Sequence, residues 1–300
     1  WGDLAMAGSF NATRNENKSL GFNVAWEVTD ALDLEFDYHS SSAESGADSP
    51  YGSNNVIGTA AFARGVTNVD FSGDFPVLSV LLPPGMSSVG ADQMMVTGSS
   101  FRNSYMKSEV DQGQVRGRFD FDNYSRLDFG VAYTEVQNRT AYNFTQRDDW
   151  GGFGNGAADY ADDLWIPGDI SGYFDQFSGS GDAFGQFFLF DFEALREAAI
   201  AARGGDEASY LPPPNFSTDR RTTEKSRSAY AQWSDTFGMD MPLHVAVGVR
   251  YEETEVTSSA LVPIPTGLVW AGNNEFTVQF GPDDFTTRWA NDPPNCACGM

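Results

Sequence analysis

Basic residues are scarce in this chain: 18 Lys and Arg stand against 42 Asp and Glu, for a formal charge of -24. That balance argues against nucleic acid as a partner, because covering a phosphate backbone takes a cationic surface and no basic stripe occurs. Long hydrophobic runs are also missing. No stretch reaches the roughly 18 consecutive apolar residues that a transmembrane helix needs. Membrane strands are untouched by this test, since their alternation does not raise the local average. Histidine and cysteine number two each. His39 and His244 lie far apart, and Cys296 and Cys298 are separated by one residue, a spacing that fits neither a zinc site nor a disulfide framework. A loop disulfide is the simpler expectation, and no metal or other cofactor is expected. No serine stands in a nucleophile-elbow context, and no Gly-rich loop follows a strand at phosphate-binding spacing. The chain therefore does not read as an enzyme. It opens at Trp1 without a leader and stops in a loop-like segment, so residues 1–300 are expected to be an internal fragment.

What is present is alternation. In LHVAVGVRYEETEV (residues 243–256), Leu243, Val245, Val247, Val249 and Tyr251 fall on one face, while His244, Ala246, Gly248, Arg250 and Glu252 fall on the other. A period of two is the signature of a β-strand. The apolar face then gives way to Glu253 and Glu255. The same plan recurs in three hairpins. The first runs from Leu20 to Val28, turns at Thr29 to Ala31, and returns through Leu32, Leu34, Phe36 and Tyr38. The second pairs Val115 to Phe121 with Leu127 to Tyr133, and the third pairs Ala229 to Trp233 with the stretch above.

Between them the chain reads as loop: residues 1–18, 45–104, 143–221 and 258–300. Connections of that length are rare in compact soluble domains without a functional reason. Within residues 143–221, the spacing predicts a short helix from Phe192 to Arg203, capped by Asp191 and ended by Gly204.

An alternating strand with one apolar face suits either a half-solvated soluble sheet or a membrane barrel. Three features favour the barrel. Short turns alternate with very long connections, as periplasmic turns alternate with extracellular loops. Each returning strand closes its apolar band with a tyrosine, Tyr38, Tyr133 or Tyr251, and Phe121, Trp233 and Phe237 lie near the short turns, so aromatics border the band at both ends. The bands approach the roughly 9 to 11 residues that a tilted strand needs to cross. A soluble sandwich accounts for the alternation but not for the tyrosines. The expected fold class is thus all-β, a partial transmembrane antiparallel barrel of about six strands in three hairpins. Six strands cannot close a membrane barrel, so the remaining ones are expected outside this sequence.

SLGFNVAWEVTDALDLEFDYHSSSAES (19–45), EKSRSAYAQWSDTF (224–237) and HVAVGVRYEETEV (244–256) resemble barrel segments of TonB-dependent outer-membrane receptors, in particular the large-looped subfamily. The resemblance covers the three hairpins, about a third of the chain. It implies a 22-stranded barrel in the outer membrane of a Gram-negative bacterium, occluded by a plug, with import of a scarce or bulky nutrient energised by TonB. Outer-membrane lipid, the protein's own plug and TonB are the implied partners, the last two contacted outside this fragment.

Two groups of residues follow as candidates. The charges interleaved with the apolar positions, Glu27, Asp33, Glu35, Asp37, Arg116, Arg118, Asp120, Arg250 and Glu252, would line the lumen. They are spread along a wall rather than paired across one bond, as acid–base catalysis requires. Trp150, Tyr160, Trp165 and Tyr173, set among acids in the long loop, are candidates for substrate contact, because aromatic faces stack on sugar rings while Asp and Asn side chains bond hydroxyls. An acidic mouth disfavours anionic chelates. A neutral oligosaccharide or similar small molecule is the expected substrate; siderophore or other metal-chelate uptake, and a secreted carbohydrate-binding or adhesive β-domain, are the alternatives.

Overall fold

A computed structural model of the chain describes residues 2–279, apart from 74, 122–124, 149–155, 171–172, 174–175, 177–182, 239–240, 264–266 and 271–275. The expectations for Trp150, Cys296 and Cys298 lie outside the described residues.

The strands, in chain order, are β1 (Gly2–Asn11), β2 (Thr13–Thr29), β3 (Leu32–Ala47), β4 (Asn54–Asp70), β5 (Val77–Leu81), β6 (Met94–Asp120), β7 (Arg126–Asp148), β8 (Ile166–Asp169), β9 (Gln186–Leu189), β10 (Thr218–Phe237), β11 (Leu243–Leu261), β12 (Gly267–Trp270) and β13 (Phe276–Gln279). One helix of three turns, α1 (Phe192–Ala202), lies between β9 and β10. Nine strands form one antiparallel sheet; β8 with β9, and β12 with β13, form two small ones.

The large sheet is simpler than nine strands suggest. β1 pairs with β4 and β2 with β3, so residues 2–70 make one long hairpin interrupted on both sides at the same height. At the interruption the Ala12 N–H donates to Ser53 O at 3.2 Å, and the Asp48 N–H donates to Ala12 O at 3.0 Å, which keeps the backbone groups satisfied across the break. β6 then pairs with β4 along its upper part and with β3 along its lower part. The result is a meander of six lanes: β1–β2, β3–β4, β6, β7, β10, β11. All three hairpins read from the alternation are present, with Phe22 opposite Tyr38, Val115 opposite Val131, and Ala229 opposite Tyr251. The all-β class holds. Among the described residues the sheet is open, with β11 paired on one side only.

The short turns lie at one end, here the lower. At the first, Thr29 Oγ1 accepts the N–H groups of Ala31 at 3.3 Å and Leu32 at 3.1 Å, the side chain standing in for a backbone acceptor in the turn. At the third, Gly238 takes φ +86°, a conformation that L side chains resist.

The loop expectations need correction. Residues 2–11 and 13–18 are strand, β1 and the upper part of β2. Residues 45–104 hold β4, β5 and the start of β6. Residues 143–221 include the top of β7, the β8–β9 hairpin, α1 and the start of β10, while residues 258–261 finish β11. The physical reason is that these strands lack apolar contrast. In β4, the buried positions include Asn55, Thr59, Ala60 and Ala61. Polar and small residues inside, and Val, Gly and Phe between them, hide the period of two. Elsewhere pairing continues past the apolar band through Ser, Thr and charged residues, whose backbone ladder is no weaker for their polarity. At 27 residues β6 is about 90 Å long, some three times the thickness of a bilayer's hydrocarbon core.

The hydrophobic core sits wholly in the upper end. Ile57, Ala61, Met94, Phe101, Leu195, Ala199 and Tyr210 are its fully buried members. α1 is placed by them. Its start is capped as expected, Asp191 accepting the Ala194 N–H at 2.8 Å, and Gly204 at φ +70° ends it. Phe192 stacks on Phe10 at 5.4 Å and touches Phe101 at 6.1 Å, while Phe101 meets Tyr210 edge-on at 5.8 Å. The Arg196 guanidinium lies over the Tyr51 ring at 4.6 Å and donates to Tyr210 O at 2.9 Å, which tolerates its burial.

Candidate functional site

The lower sheet has two faces and neither is covered. Register makes their composition plain. Reading straight across the strands, one row runs Leu32, Phe119, Leu127, Trp233, Val247; the next runs Trp26, Leu34, Gly117, Phe129, Ala231, Val249; the third runs Val24, Phe36, Val115, Val131, Ala229, Tyr251. The fourth is Phe22, Tyr38, Gly113, Tyr133, Arg227, Glu253, and the fifth is already Leu20, Ser40, Asp111, Glu135, Lys225, Glu255. Every one of these residues lies on the same face. They make a continuous apolar band about 30 Å wide and about 25 Å along the strands, well above the few hundred Å² that soluble monomers leave bare. Val249 is 72% exposed and Phe22 58%, so among the described residues no element covers it.

The band is not level with the rows. On β2 its upper limit is Leu20, whereas on β11 it is Tyr251, whose row meets β2 at Val24, four residues lower. The lower limit moves likewise: Leu32 lies in the row of Val247, yet the band on β11 continues four residues further, to Leu243 opposite Phe237. A level band crossing the sheet in this way requires strands tilted by about 30°.

The other face is polar. Glu35, Asp37, Asp33, Arg116, Arg118, Asp128, Arg250 and Glu252 all lie on it, and most are partnered. Arg116 bonds Glu35 at 2.9 Å, Arg118 bonds Asp128 at 3.2 Å, and Arg250 bonds Glu252 at 2.9 Å. Asn23 donates to Glu35 at 2.7 Å and Gln114 to Asp37 at 3.3 Å. The structure thus brings the four expected wall residues Arg116, Arg118, Arg250 and Glu252 onto one face. Their pairs are half exposed, each worth about 0 to 1 kcal/mol, so they set local charge more than stability. Asp120 pairs with Arg126 at 2.8 Å near the turn.

The loop aromatics are elsewhere. Tyr160 and Trp165 are 4% and 3% exposed, packed edge-on to each other at 6.3 Å, with Phe190 edge-on to Trp165. Their rings are spent on the upper core and offer no face to a ligand in this arrangement. Tyr173 is 78% exposed. The upper segment also lies on an unexpected side. The β6–β7 ladder is unshifted from Gly98 to Asp120, so Phe101, beneath α1, is on the same face as Phe119 and the apolar band. α1 and its flanks therefore clothe the sheet above the band and leave the polar face open.

Between band and α1, Arg139 and Arg221 both chelate the Asp219 carboxylate, with N–O distances of 2.8 to 3.2 Å. Arg139 also lies over the Tyr105 ring at 5.0 Å. Hydrogen bonds from Arg221 and then Arg139 hold the Asp219 carboxyl far below the usual carboxylate range. Asp206 is lowered similarly by Ser209 and Arg147.

Among the described residues no three His, Cys, Asp or Glu side chains are grouped to hold a metal ion, and no helix is long and apolar enough to cross a membrane, which says nothing of strands. Comparison with protein-family models, curated proteins and solved structures found no match.

Proposed function

We propose that this chain is part of the wall of an outer-membrane β-barrel receptor of the TonB-dependent kind, with the apolar band against lipid and the polar face lining the lumen. The observation that carries the reading is the band itself. It is bare, bordered above by Tyr38, Tyr133 and Tyr251 on three of its lanes, and continuous over six lanes. Its height of about 25 Å matches the outward apolar belt of such barrels, and its drift through the register corresponds to a tilt close to the roughly 35 to 45° they adopt. A soluble sandwich has no use for an uncovered face of this size, since leaving it wet forgoes about 25 cal/mol per Å².

On this reading the upper core, with α1, stands outside the membrane on the flank of the wall rather than over its mouth. The chain takes part in TonB-energised uptake of a bulky or scarce nutrient, and oligosaccharide remains the preferred class because the chain is acidic overall. Cell fractionation tests it. The native protein is expected in the outer-membrane fraction after carbonate washing, with nutrient uptake abolished by a proton ionophore. Recovery in the soluble secreted fraction would contradict the proposal.

A further inference from the structure

The polar face carries a depression of about 320 Å³ at the junction of β6, β7, β10 and β11. Its construction depends on a glycine. Gly130 faces Tyr230 across the β7–β10 pair, and a Cβ at Gly130 would stand 2.7 Å from Tyr230 Cε1 and 3.1 Å from Cζ. The tyrosine ring therefore lies down across β7, where no other residue type would let it rest. Beside it, Ala132 provides a shallow floor in a row whose neighbours are Gln114 and Ser228. One wall of the depression is thus an aromatic ring held by the backbone of the next strand.

The remaining lining, Val131 apart, is polar, and its charged members are partnered. Uncharged groups come from Gln112, Gln114, Thr134, Ser226 and Ser228. Gln112 donates to Thr134 Oγ1 at 3.1 Å and Thr254 to Ser226 Oγ at 3.3 Å, which orients these groups without exhausting their donors and acceptors. Arg250 is paired with Glu252 inside the depression, and Arg116 with Glu35 just beyond its lining. An anion would have to compete with these carboxylates for the guanidinium groups. A neutral ligand rich in hydroxyls would not.

We propose that this depression binds one ring of a neutral, polyhydroxylated ligand, a saccharide unit, stacked on Tyr230 and hydrogen-bonded by the flanking amides and hydroxyls. A ring stacked on a fixed aromatic face, with a few convergent polar groups setting its orientation, is the usual make-up of a small-ligand site, and the volume is at the lower end of the range for such sites. The site moves substrate contact from the buried loop aromatics to the wall. Its role in uptake rests on the polar face lining the lumen; the binding itself does not.

The test is saccharide binding by the protein purified in detergent, read by saturation-transfer NMR. The probes are neutral tri- and tetrasaccharides of the gluco-, xylo- and galacto-series, with citrate as an anionic probe. At least one neutral series is expected to bind saturably. Tyr230→Ala should weaken it about tenfold or more and Tyr230→Phe should not, because the ring and not the hydroxyl carries the contact. Since Tyr230→Ala also uncovers Gly130, Ala132→Leu is the second variant: it raises the floor, leaves Tyr230 in place, and should abolish binding with an unchanged circular-dichroism spectrum. No binding of any neutral probe, binding of citrate alone, or binding indifferent to both Tyr230→Ala and Ala132→Leu would overturn the proposal. Flotation with liposomes, run on the same preparations, separates the two readings. Insertion without saccharide binding contradicts this inference alone, while binding by a protein that never associates with lipid contradicts the membrane reading alone.

Discussion

Asp219 has two guanidinium groups on one carboxylate, and the consequence is a pH signature. Its pKa is depressed in the folded state, so it contributes stability above the unfolded carboxyl value of about 3.9 and loses that contribution as pH falls toward the folded value. Asp219→Asn is therefore expected to lower the thermal midpoint of the upper segment by a constant amount from neutrality down to about pH 4, with the gap narrowing below that. Circular-dichroism melts of both proteins from pH 7 to pH 2 check this; a gap that widens on acidification would be the wrong sign. Leu195, fully buried on the inner side of α1, belongs to the opposite regime. Leu195→Ala should cost about 3 kcal/mol, because the core around it is too closely packed to collapse fully into the vacancy. Denaturant unfolding followed by protection of the 186–217 segment from proteolysis measures it. At this scale the sequence was readable where chemistry is local. The Asp191 cap and the Gly204 stop follow from backbone needs that three or four residues define. Tyr160 and Trp165 were not readable as core, because an aromatic beside acids looks the same whether it faces solvent or a sheet distant in sequence.

At the level of elements, the three hairpins follow from alternation and short turns, and the structure pairs them as the pattern requires. The strand ends do not follow. Apolar alternation marks where a strand has unlike surroundings on its two faces, and β4 and the upper parts of β6 and β7 have packing or polar residues on both. Tyr230 over Gly130 escaped for a related reason: each residue is unremarkable in its own strand, and only the register brings them together. The two faces make opposite demands on a substitution. Val131 is 56% exposed in the band and has little packing to lose. In a soluble sheet Val131→Arg would be worth within about 0.5 kcal/mol, whereas facing lipid it should cost about 2 to 4 kcal/mol near the midplane. Urea titration of folding into phospholipid vesicles distinguishes these values. Asp128→Asn, next but two along β7 and on the polar face, serves as the tolerated control.

For the whole molecule, charge and the lack of apolar runs narrowed the classes but left membrane sheet and soluble sheet open. What supports the proposed membrane sheet is a property of six lanes at once, a band with parallel upper and lower limits that slants through the register. No single strand contains that information. It also divides the protein into a packed upper end, stable through its own core, and a lower sheet that has no core and depends on its surroundings. The most direct test of the central claim is site-directed spin labelling along β7 in bilayers, one position at a time from Leu127 to Glu135, with Cys296 and Cys298 replaced. Labels at 127, 129, 131 and 133 should be relaxed by dissolved oxygen and shielded from a water-soluble nickel chelate, with the reverse at 128, 130, 132 and 134, and the alternation should end at 135. Equal chelate access on both faces would show that the band does not meet lipid, and the receptor-wall reading would fall with it.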